Sequence, residues 1–504
     1  MTPFEFGFYL LVAVAAFAGR RRWSATGLVL LGMLLLTWFR WNFGVATVFG
    51  ILALGIVLAA DQRTLGETSR RRVLAWLSLG FAAAGGPGTL LVAGTLLLIH
   101  YPLGRRLREQ GSAYLLGIGI AVNLLTLAAF RYLPLLLEAA GADSAAHFLN
   151  DPRIQPFGLS FLSFTFLAYL MDCHAGAGEF SGFRDYALYH LYFPKFGSGP
   201  ITRPDEFREA MARSEADSPS LESGLFLLLW GIFQKMVLAD RVAETLAPVF
   251  STPDGFSRGA LAGAALLYPV QLFLDFSGYT DIARGASRMM GIELPVNFRN
   301  PFLARSFTEF WQRWHITLSR WLRDYLFVRL AHLGSGDARR RMIAATMATL
   351  MICGLWHGAA ATFLLWGTLH GAVLALERIT RWPERISGRW EGIPARLVLA
   401  IPVYAGLAAT FVVFRAGGTA ELMGFLAAAV RGGGTGTIAL SGLIAAVLAV
   451  ILMHGAEFAP GLRTAAARAF ARCPRMVTYA TAAWITLFIL FFREEPRAFI
   501  YFLF

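Results

Sequence analysis

Two histidines sit where the surrounding sequence makes them costly. His315 lies inside "FWQRWHITLSRWLRDYLF" (310–327), and His357 inside "ICGLWHGAAATFLLWGTLHG" (352–371). An imidazole titrates near pH 6.5, so a neutral one can take a proton from a hydroxyl at physiological pH; His357 is a candidate general base, and His315 could hold its tautomer or donate to an oxyanion. His357 stands between two apolar runs and is flanked by Gly354 and Gly358, which let a backbone bend or a ligand come close. Ionisable groups inside apolar runs are rare and mark substrate paths. The plainer alternative for each histidine is a bond to a nearby carbonyl. Cys353, four residues before His357, would share a helix face with it, so a Cys–His dyad competes with a small buried cysteine.

Carboxylates gather in "YPVQLFLDFSGYTDIARGASRMMGIELPVNFRNPF" (268–302), where Asp275, Ser277, Tyr279 and Asp281 surround Gly278. They can orient a histidine or bind a cation, or merely cap a helix and pair with Arg284 or Arg288. "LYFPKFGSGPITRPDEF" (191–207) carries Lys195 among prolines and glycines that preclude one continuous helix, and "GIFQKMVLADR" (231–241) places Lys235 in an apolar run.

These residues need elements to hold them. Read as one helix, 310–327 puts Trp311, His315, Leu318, Leu322 and Tyr325 on one face, with Arg320 and Asp324 four apart and Arg313 nearly aligned with them. Such a helix lies in a membrane interface or lines a cavity. The whole block 172–335 mixes short apolar runs with charge, proline and glycine, a texture tolerated at membrane depth only when buried in protein or facing water.

The setting is a bilayer. Of the 504 residues 56% are hydrophobic and 15% charged, against about 25% charged in soluble chains, and mean hydropathy is +0.55. Apolar runs near 5–19, 24–40, 43–60, 73–84, 88–102, 112–130, 156–171, 222–239, 258–275, 342–356, 360–377, 396–414, 437–455 and 476–492 predict an all-α polytopic membrane protein. About a dozen transmembrane helices are expected, with some shorter runs re-entrant or interfacial. No repeat or long linker divides the chain, so residues 1–504 are expected to form one integral membrane domain with 156–378 as its core.

Arginine clusters at 20–22, 70–72, 105–108, 339–341 and 463–475 belong on the cytoplasmic side, the 141–155 loop outside, and the N-terminus outside. The formal charge of +13 is explained by that bias, since no basic stripe interleaved with aromatics points to nucleic acid. Cys173, Cys353 and Cys473 form neither a disulfide framework nor a zinc site.

Side by side, "PFGLSFLSFTFLAYLMD" (156–172), "LYFPKFGSGPI", "FQKMVLADR", "LFLDFSGYTDIARG", "NFRNPFLARSFTEFWQRWHITLSRWLRDYLF" and "GLWHGAAATFLLWGTLHG" resemble the membrane-bound O-acyltransferase family. The resemblance is to its bacterial branch of alginate O-acetyltransferases and teichoic-acid D-alanyl transferases. It implies helices around a central funnel or tunnel, with His357 at the centre and His315 as the family's second histidine. One departure is visible: "FVRLAHLGSGDARRR" follows "WLRDYL" as in the D-alanyl branch, while "GLWHGAAATFLLWG" leans to the acetylases.

The resemblance implies an enzyme that moves an acetyl group from a cytoplasmic thioester across the bacterial inner membrane, for O-acetylation of an exported, alginate-like polysaccharide. D-alanyl transfer to teichoic acid or O-acetylation of peptidoglycan are the alternatives. The donor would be acetyl-CoA or a phosphopantetheine-carried thioester, with no bound cofactor or metal. Expected partners are membrane lipid, the polysaccharide acceptor, and a periplasmic acetyltransferase or carrier protein. Positions expected to meet donor or substrate are Lys195, Asp275, Tyr279, Trp311, Arg313, Ser319, Arg320, Arg323, Asp324 and Trp356. Without the resemblance, a transporter would also show broken helices around charge, and a haem protein could use His315 and His357, or His357 and His370, as axial ligands.

Overall fold

The computed structural model describes residues 67–213, 218–333, 335–386 and 393–458. Within them the fold is helical, and the only β feature is a single bridge between Phe256 and Gly436. Four helices are long and apolar enough to cross a bilayer: Pro87–Gln110, Ala113–Arg131, Arg258–Met289 and Ala395–Arg415. They coincide with expected spans, and Leu159–His174 is a shorter apolar helix. The expected spans at 5–19, 24–40, 43–60 and 476–492, and the arginine clusters at 20–22 and 463–475, lie outside the described residues. The chain divides into two compact units, one of residues 1–228 with 282–295, the other of 229–281 with 296–504.

In the first unit, Leu159–His174 is buried along most of its length. Its neighbours reach it through glycine: a Cβ on Gly104 would stand 2.4 Å from the Tyr169 ring, and one on Gly119 would stand 2.5 Å from Leu170. Small residues substitute for a hydrophobic drive that helices in lipid lack. Buried polar side chains find partners across the unit: Asn123 bonds His100 at 3.2 Å, and Arg70 donates to the Met290 carbonyl at 2.6 Å. Residues 192–203 form a run of turns between Phe183–Leu191 and Pro204–Ala212, as their prolines and glycines require. The 141–155 segment contains the short helix Asp143–Asn150, and just after it hydrogen bonds from the exposed Arg153 hold the Asp151 carboxylate down at about 2.

In the second unit, a wide π-helical stretch, Gln234–Ala239, carries Lys235 between two carboxylates, Asp275 at 2.5 Å and Asp240 at 2.8 Å. Ser277 donates to Gln234 at 2.7 Å, and Gln234 donates to Asp281 at 3.0 Å. Gly278 allows this approach, since a Cβ there would lie 2.9 Å from the Gly231 carbonyl. Of the two carboxylates expected to orient a histidine or bind a cation, Asp275 thus pairs with a buried lysine and Asp281 accepts from Gln234.

Removing one member of a buried ion set leaves uncompensated charge and costs roughly 3–5 kcal/mol. Lys235→Met should therefore lower the melting temperature in detergent sharply. Replacing Lys235, Asp240 and Asp275 together by apolar residues should recover most of the loss. An unchanged melting temperature for Lys235→Met would show that the triad does not hold the unit together.

Candidate active site

The segment around His315 departs from the single helix expected for 310–327. Phe307–Arg313 is one short helix, Ile316–Trp321 another, and Leu322–Phe327 is π-helical. Backbone pairing explains the break. Arg299 N–H donates to the Arg313 carbonyl at 2.9 Å, and Ile316 N–H donates to the Asn297 carbonyl at 2.9 Å. Those bonds compete with the helical ladder on both sides of Trp314–His315. His315 takes a left-handed conformation, φ 41° and ψ 53°. For a residue with a Cβ that geometry costs of order 1–3 kcal/mol and persists only where the surroundings impose it.

Trp311, His315, Leu318, Leu322 and Tyr325 are nevertheless all buried. Trp314 closes the first helix and stacks on Phe310 at 5.4 Å. The start of that helix is held from another element: the Glu377 carboxylate accepts from Phe307 N–H at 2.7 Å, Thr308 N–H at 2.8 Å and the Thr308 hydroxyl at 2.7 Å. A carboxylate at a helix N-terminus meets free N–H groups and the positive end of the dipole.

His315 itself is 1% exposed. Its Nδ1 lies 3.1 Å from Asn297 Oδ1, and its ring meets Phe276 edge-on at 4.7 Å.

His357 is the last residue of Ala338–His357, and after three residues the chain returns as Ala361–Thr380. The return is tight because two glycines face each other. A Cβ on Gly354 would stand 2.3 Å from the Phe363 carbonyl oxygen, and one on Gly367 would stand 2.2 Å from that of Leu350. Gly354 is therefore spent on helix contact and not on a bend or a ligand, a correction to its sequence reading. Arg339 and Arg341 cap carbonyls near the far end of this hairpin, at Ile379 and Gly336. His357 is 3% exposed and ringed by aromatics: Trp356 at 4.7 Å, Phe414 at 5.0 Å, Trp366 at 5.3 Å and Phe363 at 6.3 Å.

A third histidine joins this cluster. His370 lies 4.7 Å from Trp366, its Nδ1 accepts from Trp311 Nε1 at 3.3 Å, and its Nε2 donates to the Thr410 hydroxyl at 2.9 Å. Thr410 passes its own hydrogen to the Leu407 carbonyl. Both nitrogens of His370 are thus engaged, so neither serves as a base or an axial metal ligand without breaking a bond. That weighs against the His357–His370 haem pairing. Trp311 connects to the surroundings of His357 through His370 and Trp366, whereas His315 is held by Asn297 and Phe276.

The other expected positions have distinct settings. Arg313 pairs with Glu309 at 2.8 Å, and Arg323 pairs with its neighbour Asp324 at 2.7 Å while staying largely exposed. Ser319 donates to the Trp314 carbonyl, and Arg320, Tyr279 and Trp356 are half-buried. Asp275 is paired with Lys235. Lys195 belongs to the first unit, where it is buried, donates to Thr202 at 2.6 Å and lies over the Tyr189 ring at 3.9 Å. A cavity of about 10 Å³, room for one water, opens beside Lys195, His190 and Thr165.

Sequence reasoning did not single out Asn297, His370, Glu309 or Glu377 as supporting residues. Glu377 and His370 carried a usable signal, as polar residues in the apolar run "LHGAVLALERIT". Asn297 had none beyond its place in the loop before the aromatic-rich segment.

His315 and His357 are thus both buried in helical, aromatic surroundings. Residues 123–382 match the membrane-bound O-acyltransferase family, and the chain belongs to it. It is 31% identical over 328 residues to the probable alginate O-acetylase of Pseudomonas aeruginosa, covering 62% of each chain. It is 30% identical over 320 residues to a peptidoglycan O-acetyltransferase of Helicobacter pylori, covering 57% of this chain and 60% of that one. A teichoic acid D-alanyltransferase of Streptococcus thermophilus is 30% identical over 262 residues, 48% of this chain and 61% of its own. The chain thus spans about three-fifths of the length of these relatives.

Proposed function

We propose that this protein transfers an acetyl group from a cytoplasmic thioester to a hydroxyl of an exported, alginate-like polysaccharide, in the bacterial inner membrane. The observation that carries the reading is His357, buried among aromatic rings at the tip of a glycine-packed hairpin within the family match. The alginate O-acetylase relatives support an acetyl donor and a polysaccharide acceptor. The D-alanyltransferase likeness supports a second reading, in which the same chemistry moves a D-alanyl group.

In the reaction His357 takes the proton of the acceptor hydroxyl as its oxygen attacks the thioester carbonyl. The tetrahedral oxyanion needs a fixed donor, a contribution of roughly 2.7–4 kcal/mol where one has been removed from an enzyme. Collapse expels the thiolate, which recovers a proton from the imidazolium. His315 acts on the same step, as a second proton acceptor or a partner of the first. Arg320 and Arg323 suit the phosphates of coenzyme A or phosphopantetheine better than Lys195, which is occupied in the interior of the first unit. Residues 156–378 form the working core in this reading, with a periplasmic acetyltransferase or a carrier protein as partner.

The side of each step follows from charge. The arginines at 70–72 and 339–341 face the cytoplasm, the 141–155 loop faces out, and the N-terminus lies outside. The test uses inside-out vesicles given radiolabelled acetyl-CoA. Label should reach polymer in the lumen, with free coenzyme A released outside. Label from a D-alanyl carrier but not from acetyl-CoA would favour the second reading, and no transfer from either thioester would reject both. In the same membranes, made Cys-free, cysteines at Ser144 and Ser335 report sidedness; in intact cells only the first should react with an impermeant maleimide.

A further inference from the structure

Three hydrogen-bond donors converge on one atom beside His315. Asn297 Oδ1 accepts from the Thr317 backbone N–H at 3.2 Å and from the Thr317 hydroxyl at 2.9 Å, and stands 3.1 Å from His315 Nδ1. A backbone N–H can only donate, so the atom of the Asn297 amide that faces it is the oxygen. An amide oxygen can only accept, so the ring nitrogen 3.1 Å away must carry the hydrogen. One neutral imidazole has one N–H, which leaves the lone pair on Nε2.

The amide itself has little freedom to turn. Asn297 is 1% exposed, and its main chain is anchored where the backbone carbonyl accepts from Ile316 N–H at 2.9 Å. The left-handed backbone at His315 is what returns Nδ1 to Asn297 while Thr317 bonds the same oxygen.

We infer that Asn297 is a positioning residue for the transfer reaction: it fixes His315 as the Nδ1–H tautomer and so presents Nε2 as a proton acceptor. The inference deepens the acyl-transfer reading above and rests on it for the role of His315. Asn297 needs no contact with substrate; it acts through the imidazole.

The charged groups on the elements around the ring are few. Arg299 shares the loop of Asn297, Arg313 with Glu309 precedes the break, Arg320 follows it, and Asp275 beside Phe276 is paired with Lys235. A carboxylate placed at 297 would be a new charge directly on Nδ1. It would stabilise the imidazolium, raise the proton affinity of His315, and so move the acidic limb of the rate profile to higher pH. Opposite charges at such range shift a titration by about 1–3 units.

The experiment measures kcat against pH for wild type, Asn297→Asp and Asn297→Leu in detergent, with acetyl-CoA as donor. Asn297→Leu should lose about a hundredfold or more in kcat at every pH with KM for the donor unchanged; a wrong tautomer costs about 10⁴ in a serine protease triad. Asn297→Asp should recover much of that activity at high pH, with its acidic limb displaced upward by about one unit or more. A purely structural amide would make the two variants fail alike. An active Asn297→Asp protein with an unmoved limb, or a fully active Asn297→Leu protein, would overturn the inference.

If neither variant folds, wild-type protein labelled with 15N-histidine decides, the His315 signals being assigned by their loss in His315→Gln. A protonated Nδ1 and a pyridine-like Nε2 support the assignment, and the opposite tautomer refutes it. The Nδ1–H tautomer found in a wild-type protein inert toward thioesters would support the assignment of Asn297 to the ring while sinking the functional reading.

Discussion

His357→Ala is expected to abolish acyl transfer and to leave a folded protein. The imidazole fills a space bounded by rings, so its loss removes a proton acceptor more than a scaffold. Positioned general bases contribute roughly 10²–10⁴-fold, and the expected loss lies in that range. Turnover at a tenth of wild type, in protein with an unchanged melting temperature, would remove His357 from the role. Cys353→Ser is the companion measurement. The thiol is 1% exposed one turn before His357, and direct transfer from thioester to hydroxyl makes no use of it. The variant should keep most activity, and a hydroxylamine-sensitive acyl label on Cys353 after denaturation would replace the direct mechanism with a two-step one.

The second large effect is coupling between the histidines. If His315 and His357 serve one step, removing either disables it, and removing both is little worse than His357→Ala alone. A cycle of His315→Ala, His357→Ala and the double variant, read as kcat/KM, should show this strong non-additivity. Multiplicative losses would mean that the two act on separate steps. The structure gives the two rings different environments, an amide with Phe276 for His315 and four aromatic side chains for His357. Shared chemistry is therefore a statement about the reaction that the cycle alone can grade.

Much of this protein was legible before its structure. Length and apolar composition located helices such as Ala113–Arg131, where an apolar run uncharged up to Arg131 has one stable form in lipid. The residues Trp311, His315, Leu318, Leu322 and Tyr325 were expected on one face of a single helix; all five are buried, but no single helix carries them. Periodicity assumes an unbroken 3.6-residue turn, and this segment contains a left-handed residue and a π-helical stretch that each reset the phase. Nothing local announces either one, because the hydrogen bonds that impose the break come from residues 297 and 299. Lys235 was visible as a cation in an apolar run, but its partner Asp275 lies forty residues on, a distance at which no helical spacing rule operates. The site histidines were readable by type and the residues that hold them were not, since a supporting asparagine looks like any other polar loop residue.

The rings around His357 also determine what a thioester does not meet there. An activated acyl group beside a base has two fates, transfer to the intended hydroxyl or capture by water, and the second wastes a donor with each event. Water reaches a base only where the surrounding surface offers it hydrogen bonds, and Trp356, Phe363, Trp366 and Phe414 present mostly ring carbon. Phe414 comes from a helix more than fifty residues downstream of His357, so this wall is assembled from separate parts of the chain. On the reading proposed above, Phe414 would guard fidelity as much as rate, and Phe414→Ala is expected to raise hydrolysis of the thioester relative to transfer.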